Sequence, residues 1–278
     1  MDNNSIFEQM MSRYPMDTAN DRRNATYEVM QQVVLAGLYR GGFFEHAAFY
    51  GGTCLRIFHG LERYSEDMDF SLLIKDEVFS LERYFPAIID ECRLLGREVE
   101  ITRKDKRNFG KVESAFLKDN TDVYNITFQT EKSIRIKIEV DTMPPLQFET
   151  EQRLLLQPFS FMVRCFTLPC LFAGKIHALL FRQWQNRVKG RDWYDFEWYV
   201  RRGVPLDFAH LQTRIREFNG MDIDRQQFQI MLRERLSQTD IRQVKADVMP
   251  FVKNPHELDI WSNDYFLQLA SLIQYLES

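Results

Sequence analysis

A chain of 278 residues with 45% hydrophobic content has ample material for a core and room for one large or two medium domains. Its net charge of −4 argues against a surface coated for nucleic acid, although local basic patches decide that more than the total does. No apolar run has the length of a bilayer span, Met1-Asp2-Asn3-Asn4-Ser5 lacks the features of a secretory leader, and Cys54, Cys92, Cys165 and Cys170 form no Cys-x-x-Cys pair, which excludes the usual zinc spacing and points to reduced thiols in a cytoplasmic protein.

The first periodic segment runs from Asp17 to Phe44. Val29, Val33, Val34 and Leu38 recur about one helical turn apart. Asp17 or Thr18 can cap this helix, and Gly41-Gly42 ends it. Ala47–Tyr50 reads as a short strand. It leads into Gly51-Gly52-Thr53, then a short apolar helix around Leu55, Ile57 and Phe58, then a strand carrying Asp67 and Asp69. Residues two apart on a strand share a face, so the two carboxylates point together, opposite Met68 and Phe70. Paired carboxylates repel unless a cation joins them. Mg²⁺ (or Mn²⁺) suits hard carboxylate oxygens together with phosphate oxygens. A glycine turn entering a helix N-terminus lets backbone N–H groups approach a phosphate closely. Tyr50 to Leu73 thus combines a phosphate cradle with metal carboxylates.

Glu77–Leu95 has the spacing of an amphipathic helix, with Val78, Leu81, Phe85, Ile88, Ile89 and Cys92 on the apolar side. Four strand-like pieces follow: Val99–Thr102, Val112–Leu117, Val123–Gln129 and Ile134–Val140. The most basic run, Arg103–Lys111, lies between the first two; it reads as a solvated hairpin or a nucleic-acid backbone contact. In the last piece Arg135, Lys137, Glu139 and Asp141 share one face, as on a solvent-facing strand or a site. Pro144 to Thr167 reads as a bridge between lobes with a short strand at Phe161–Phe166. Helical patterns then cover Leu168–Gln185, Asp207–Phe218, Asp224–Leu236, Asp240–Met249 and Ser262–Leu276. Lys175 and Arg182 are about two helical turns apart and share a face. Lys189, Arg191, Asp192 and Asp195 follow, and Arg191 and Asp195 have the spacing of a helix salt bridge. Trp184, Trp193, Trp198 and Tyr199 read as core aromatics, Cys54 as a small buried residue, and the five histidines as structural or surface residues.

Gly-Gly-Thr, a helix, and Arg63-x-Ser65-x-Asp67-x-Asp69, followed by Lys175, Arg182 and Lys189-Gly190-Arg191-Asp192-Trp193-Tyr194-Asp195, resemble the AbiEii/AbiGii nucleotidyltransferase toxins of the polymerase-β-like superfamily. Thr53 stands where that superfamily usually has serine. The resemblance implies an α+β fold: a nucleotidyltransferase lobe over residues 1–160 with a mixed sheet and flanking helices, then a mainly helical lobe over 161–278 contributing Lys175 and Asp192 to the cleft. It points to Glu139 as a third carboxylate with Asp67 and Asp69; Asp141 stays open as the alternative. Gly51, Gly52, Thr53, Arg56, Ser65, Lys175 and Arg182 make the implied nucleotide-binding set, and Lys175 and Asp192 join the catalytic one. The implied reaction is Mg²⁺-dependent transfer of a nucleotide from an NTP to RNA, expected to be tRNA, restrained by a cognate antitoxin. A small-molecule nucleotidyltransferase, transfer to a protein hydroxyl and a non-catalytic nucleotide-binding module are the rival readings.

Overall fold

The computed structural model describes residues 4–103, 121–128, 134–182 and 188–277. The expected strand at 112–117, the basic run beyond Arg103, and Trp184 fall outside the described residues. The chain divides into two compact units. One holds Met1–Gly60, Ser65–Pro144 and Thr150–Cys165; the other holds Leu61–Tyr64, Pro145–Glu149 and Phe166–Ser278. The division falls after Cys165, so the strand at 161–166 largely belongs with the first unit.

The first unit is a seven-stranded mixed sheet with helices. Its strands are β1 (Ala47–Tyr50), β2 (Met68–Leu72), β3 (Val99–Arg103), β4 (Thr121–Phe128), β5 (Arg135–Asp141), β6 (Thr150–Leu155) and β7 (Phe161–Phe166). Their spatial order is β3-β4-β5-β2-β1-β7-β6. β2 runs antiparallel to β1 and parallel to β5. β5 alternates as its sequence dictates: Ile136, Ile138 and Val140 are buried while the charged residues are not. β6 was hidden in the expected bridge. It is a polar edge strand, buried only at Leu155, so it lacks the apolar alternation that marks a strand.

Among its described residues are helices α1 (Asn4–Met11), α2 (Ala19–Arg40), α3 (Gly51–His59) and α4 (Phe85–Leu94). Thr18 caps α2 in a reciprocal box with Asp21, satisfying two otherwise orphaned N–H groups. Gly37 allows close packing there, since a Cβ would lie 2.6 Å from the Ile88 Cα of α4. α4 starts later than its periodicity suggests. Asp76 accepts from the Val78 N–H at 3.0 Å, a short 3₁₀ turn occupies Leu81–Tyr84, and Pro86 opens the α-helix, where a missing donor costs nothing. Val78, expected on the apolar face, is 89% exposed.

The second unit is helical: α5 (Leu168–Phe181), α6 (Gly190–Arg201), α7 (Phe208–Asn219), α8 (Arg225–Gln238), α9 (Ile241–Val248) and α10 (Asn263–Ser271). Asp207, Asp224, Asp240 and Ser262 cap the last four. α10 ends earlier than expected, and Leu276 returns as extended chain to Leu206. Trp193, Phe196 and Phe266 form the core, and Tyr199 stacks on Phe172 at 4.6 Å between ring centres. Gly190 is compulsory for the seat of α6, because a Cβ would stand 2.1 Å from the Val244 carbonyl oxygen of α9.

His210 lies fully buried in this unit beside Phe148 and Phe166. Burial, with the charge of Arg214 adding to it, pulls its pKa down to about 3. The unfolded chain takes up that proton near pH 6.5, and the folded one does not until far lower. Stability is therefore greatest above pH 6.5 and falls as pH drops from there towards 3. His210→Gln is expected to remove roughly 2 kcal/mol of the stability loss between pH 7 and pH 5; urea midpoints at the two pH values check this.

Candidate active site

The glycine turn and the carboxylates meet in the first unit. Tyr50, extended, leads into Gly51, whose φ is +80°. A Cβ at Gly51 would lie 2.2 Å from Asp69 Oδ2, so glycine is required both by the left-handed backbone and by the carboxylate packed against it. Gly51 and Gly52 open α3, which has no side-chain cap from Tyr50, and the N–H groups of a helix's first turn suit an anion.

Register places the other carboxylates. Asp69 lies level with Glu139 across the parallel β2–β5 pair, and Ser71 with Asp141. Asp67 precedes β2 by one residue and shares the face of Asp69. Asp141 is two positions farther along, and its Oδ1 accepts the Met143 N–H at 3.1 Å. Glu139 is thus the β5 carboxylate adjacent to Asp69.

The Lys137 ammonium contacts Glu139 Oε1 in an ion pair. Burial would lower its pKa, but Glu139, and then Asp67 and Asp69, raise it above the usual lysine value. Among the described residues no three His, Cys, Asp or Glu side chains are already gathered to hold an ion. The donor set of hard carboxylate oxygens, with an adjacent glycine turn for phosphate, has the chemistry that Mg²⁺ takes.

Thr53 is fully buried. Its hydroxyl shares a 2.9 Å hydrogen bond with Ser65 Oγ and donates to the Asp67 backbone carbonyl. It therefore ties α3 to the segment that carries Asp67, and its side chain is turned inward. Gln31 on α2 secures the same segment, donating to the Ser65 and Glu66 carbonyls at 3.0 Å each. Arg56 Nε donates to Glu28 Oε2 at 2.8 Å. The Glu28 carboxylate, after burial, also raises the Tyr14 pKa. Arg56 is thus built into a charge network within the unit.

The second unit holds the other predicted residues. Lys175 Nζ lies 2.7 Å from Asp192 Oδ1 and 2.8 Å from Asp195 Oδ2. Arg182 Nη1 donates to Asp192 Oδ2 at 3.0 Å. α5 ends at Phe181 and Arg182, its C-cap, is extended, so the two cations are joined by this carboxylate rather than by a common helix face. Burial would raise the Asp192 pKa; the charges of Arg182, Lys175 and Lys189 instead hold it far below the carboxylate range. Asp192 is thus held ionised among its cationic neighbours. Lys189 is the inverse case. Burial, then the neighbouring Arg182, bring its pKa down to about 7.

Asp195 has a distant arginine as its partner. Arg63 binds it in a fork, Nε to Oδ1 and Nη2 to Oδ2, both at 2.6 Å, while the Arg191 guanidinium lies over the Phe251 ring at 4.1 Å. A forked arginine matches a carboxylate better than a helix-surface contact can. The pairing spans 132 residues, so no local rule reveals it. Lys137 was visible only through the parity of β5, which a solvent-facing strand shares.

The whole arrangement is that of a nucleotidyltransferase fold. The structure is similar to MenT4, a nucleotidyltransferase toxin of Mycobacterium tuberculosis H37Rv, with a TM-score of 0.59 and 14% identity over 99% of this chain and 90% of that one. It is also similar to JHP933 of Helicobacter pylori, with a TM-score of 0.53 and 15% identity over 90% of each chain. The sequence has no match among curated proteins. It does match, over residues 33–269, the family described as nucleotidyl transferase AbiEii toxin of type IV toxin–antitoxin systems. The chain belongs to the AbiEii nucleotidyltransferase toxin family. It is a nucleotidyltransferase with an NTP substrate, and the toxin–antitoxin system of its family implies a cognate antitoxin. No helix among the described residues is long and apolar enough to cross a membrane.

Proposed function

We propose that this toxin acts in the cytoplasm, moving a nucleoside monophosphate from an NTP to an RNA hydroxyl, with a tRNA 3′ end as the expected acceptor. The observation carrying this reading is the register that sets Glu139 beside Asp69, with Asp69 packed on Gly51 of the helix-opening turn. Backbone N–H groups at Gly51 and Gly52 hold phosphate oxygens. Thr53 and Ser65 act from behind by fixing Asp67. The acceptor oxygen bonds to the α-phosphorus, the bond to the bridging oxygen breaks, and pyrophosphate leaves. Glu139 takes the proton of the attacking hydroxyl.

Asp67, Asp69 and Glu139 would hold Mg²⁺ (or Mn²⁺). When bound, the ion supplies charge stabilisation to the attacking and leaving oxygens. Lys175 and Arg182 serve the triphosphate as cations, and Asp192 positions both of them. Cations exceed carboxylates in that cluster even with Lys189 left out: Arg63, Lys175 and Arg182 against Asp192 and Asp195. Such an excess suits a polyanion.

The test is incubation with Mg²⁺, total RNA and each α-labelled NTP in turn. Label in a tRNA-sized band identifies acceptor and nucleotide together. Label without RNA but with a small-molecule hydroxyl acceptor, or on protein, would replace the RNA reading. Nucleotide binding without pyrophosphate release in every arm would mean a non-catalytic module.

A further inference from the structure

Three carboxylates on one face of two adjoining strands cannot stay ionised together without neutralising charge. The first unit contains such charge within the sheet itself. Lys137 stands two residues before Glu139 on β5, on the same face, and its ammonium is paired with the Glu139 carboxylate. Extending the β2–β5 register back from Met68↔Ile138 puts Lys137 level with Asp67. The charges of Asp67 and Asp69 act on the same ammonium. The side chain is only 27% exposed, so bulk water screens these attractions less than it would on an open surface.

We propose that Lys137 is a built-in counter-ion of Asp67, Asp69 and Glu139. It neutralises the cluster when no divalent cation is bound, and it competes with that cation for the carboxylates. The proposal rests on the metal-dependent reading above and deepens it. A lysine suits this role because it is a point charge on a flexible stem. It can withdraw from Glu139 without disturbing the backbone pairing of β5. The consequence is a site of moderate metal affinity, filled most readily when a triphosphate brings additional negative charge.

The consequence is measurable without turnover. Lys137→Met removes the charge and keeps most of the stem, and Lys137→Arg keeps the charge. Mn²⁺ binding at pH 7.5 would be followed by calorimetry for wild type, both variants and Asp69→Asn, alongside thermal melting in EDTA and in Mn²⁺. Lys137→Met is expected to bind Mn²⁺ about tenfold more tightly than wild type. In EDTA it should melt about 2–4 °C lower, with Mn²⁺ restoring most of the loss. Lys137→Arg should stay near wild type in both measurements, and Asp69→Asn should bind more weakly than wild type. Equal Mn²⁺ affinity in wild type and Lys137→Met, with binding weakened by Asp69→Asn, would overturn the counter-ion role and leave the metal site standing. Absence of Mn²⁺ binding in both, with and without NTP, would overturn the metal-dependent reading and the counter-ion proposal together. Should Lys137→Met fail to fold, Lys137→Gln carries the same comparison.

Discussion

Asp69→Ala is expected to fold like the wild type and to transfer nucleotide at least ~10³-fold more slowly. The two halves of this expectation have separate grounds. Asp69 is half-buried, on a strand whose inward residues, Met68 and Phe70, carry the packing. Truncating its carboxylate leaves that packing in place and relieves repulsion with Asp67 and Glu139. The loss of activity follows from position: Asp69 lies at the junction of the Gly51 turn and the Glu139 register position, so no other carboxylate substitutes for it. Phosphoryl-group transfer depends mainly on positioned charge. Gly51→Ala should share the defect, because its Cβ would occupy the space of Asp69 Oδ2 and its φ of +80° would be strained. The check is labelled-nucleotide transfer paired with circular dichroism and a melting curve. An Asp69→Ala protein with wild-type turnover would remove Asp69 from the site.

Much of the first unit was readable in the chain because its signals are local. The β1 limits coincide with the expected Ala47–Tyr50. The capping residue Thr18 and the paired Asp67 and Asp69 declare themselves within a few positions. β5 was legible through strict alternation, which depends only on one buried face. What stayed hidden depends on long-range pairing. β6 reads as polar connecting chain until the sheet supplies a neighbour. That Glu139 lies level with Asp69, and Asp141 with Ser71, depends on the register of a strand about seventy residues away, which parity cannot supply. The bond from the Thr53 hydroxyl to the Asp67 carbonyl joins residues fourteen positions apart, and no local rule announces it. The helical unit divides the same way. Its helix starts at Asp207, Asp224, Asp240 and Ser262 are marked locally, whereas the Arg63 partner of Asp195 lies 132 residues away.

That hidden partner has the second large consequence. Asp195→Ala is expected to destabilise the protein by about 3–5 kcal/mol, the scale for breaking a buried pair from one side. Asp195 is fully buried and Arg63 is 2% exposed. Burial alone would raise the Asp195 pKa; Arg63 and then Lys175 outweigh it and hold the carboxylate below its usual range. Removing the carboxylate takes away both bonds of the fork and leaves the Arg63 guanidinium buried, its Nη1 still donating to the Tyr64 carbonyl at 3.0 Å. Lys175 keeps Asp192 and loses half its anchorage. Replacing both ends, Arg63→Met with Asp195→Leu, should recover a large part of the loss, because no buried charge is then stranded. Urea unfolding of the two single variants and the double variant separates these terms. A double variant as unstable as Asp195→Ala would mean that the cost comes from Lys175 rather than from Arg63. The same series reads on function. If Asp195 serves by holding Lys175, the Asp195→Leu, Arg63→Met protein regains stability while its KM for NTP stays raised, so fold and triphosphate handling part company at a single carboxylate.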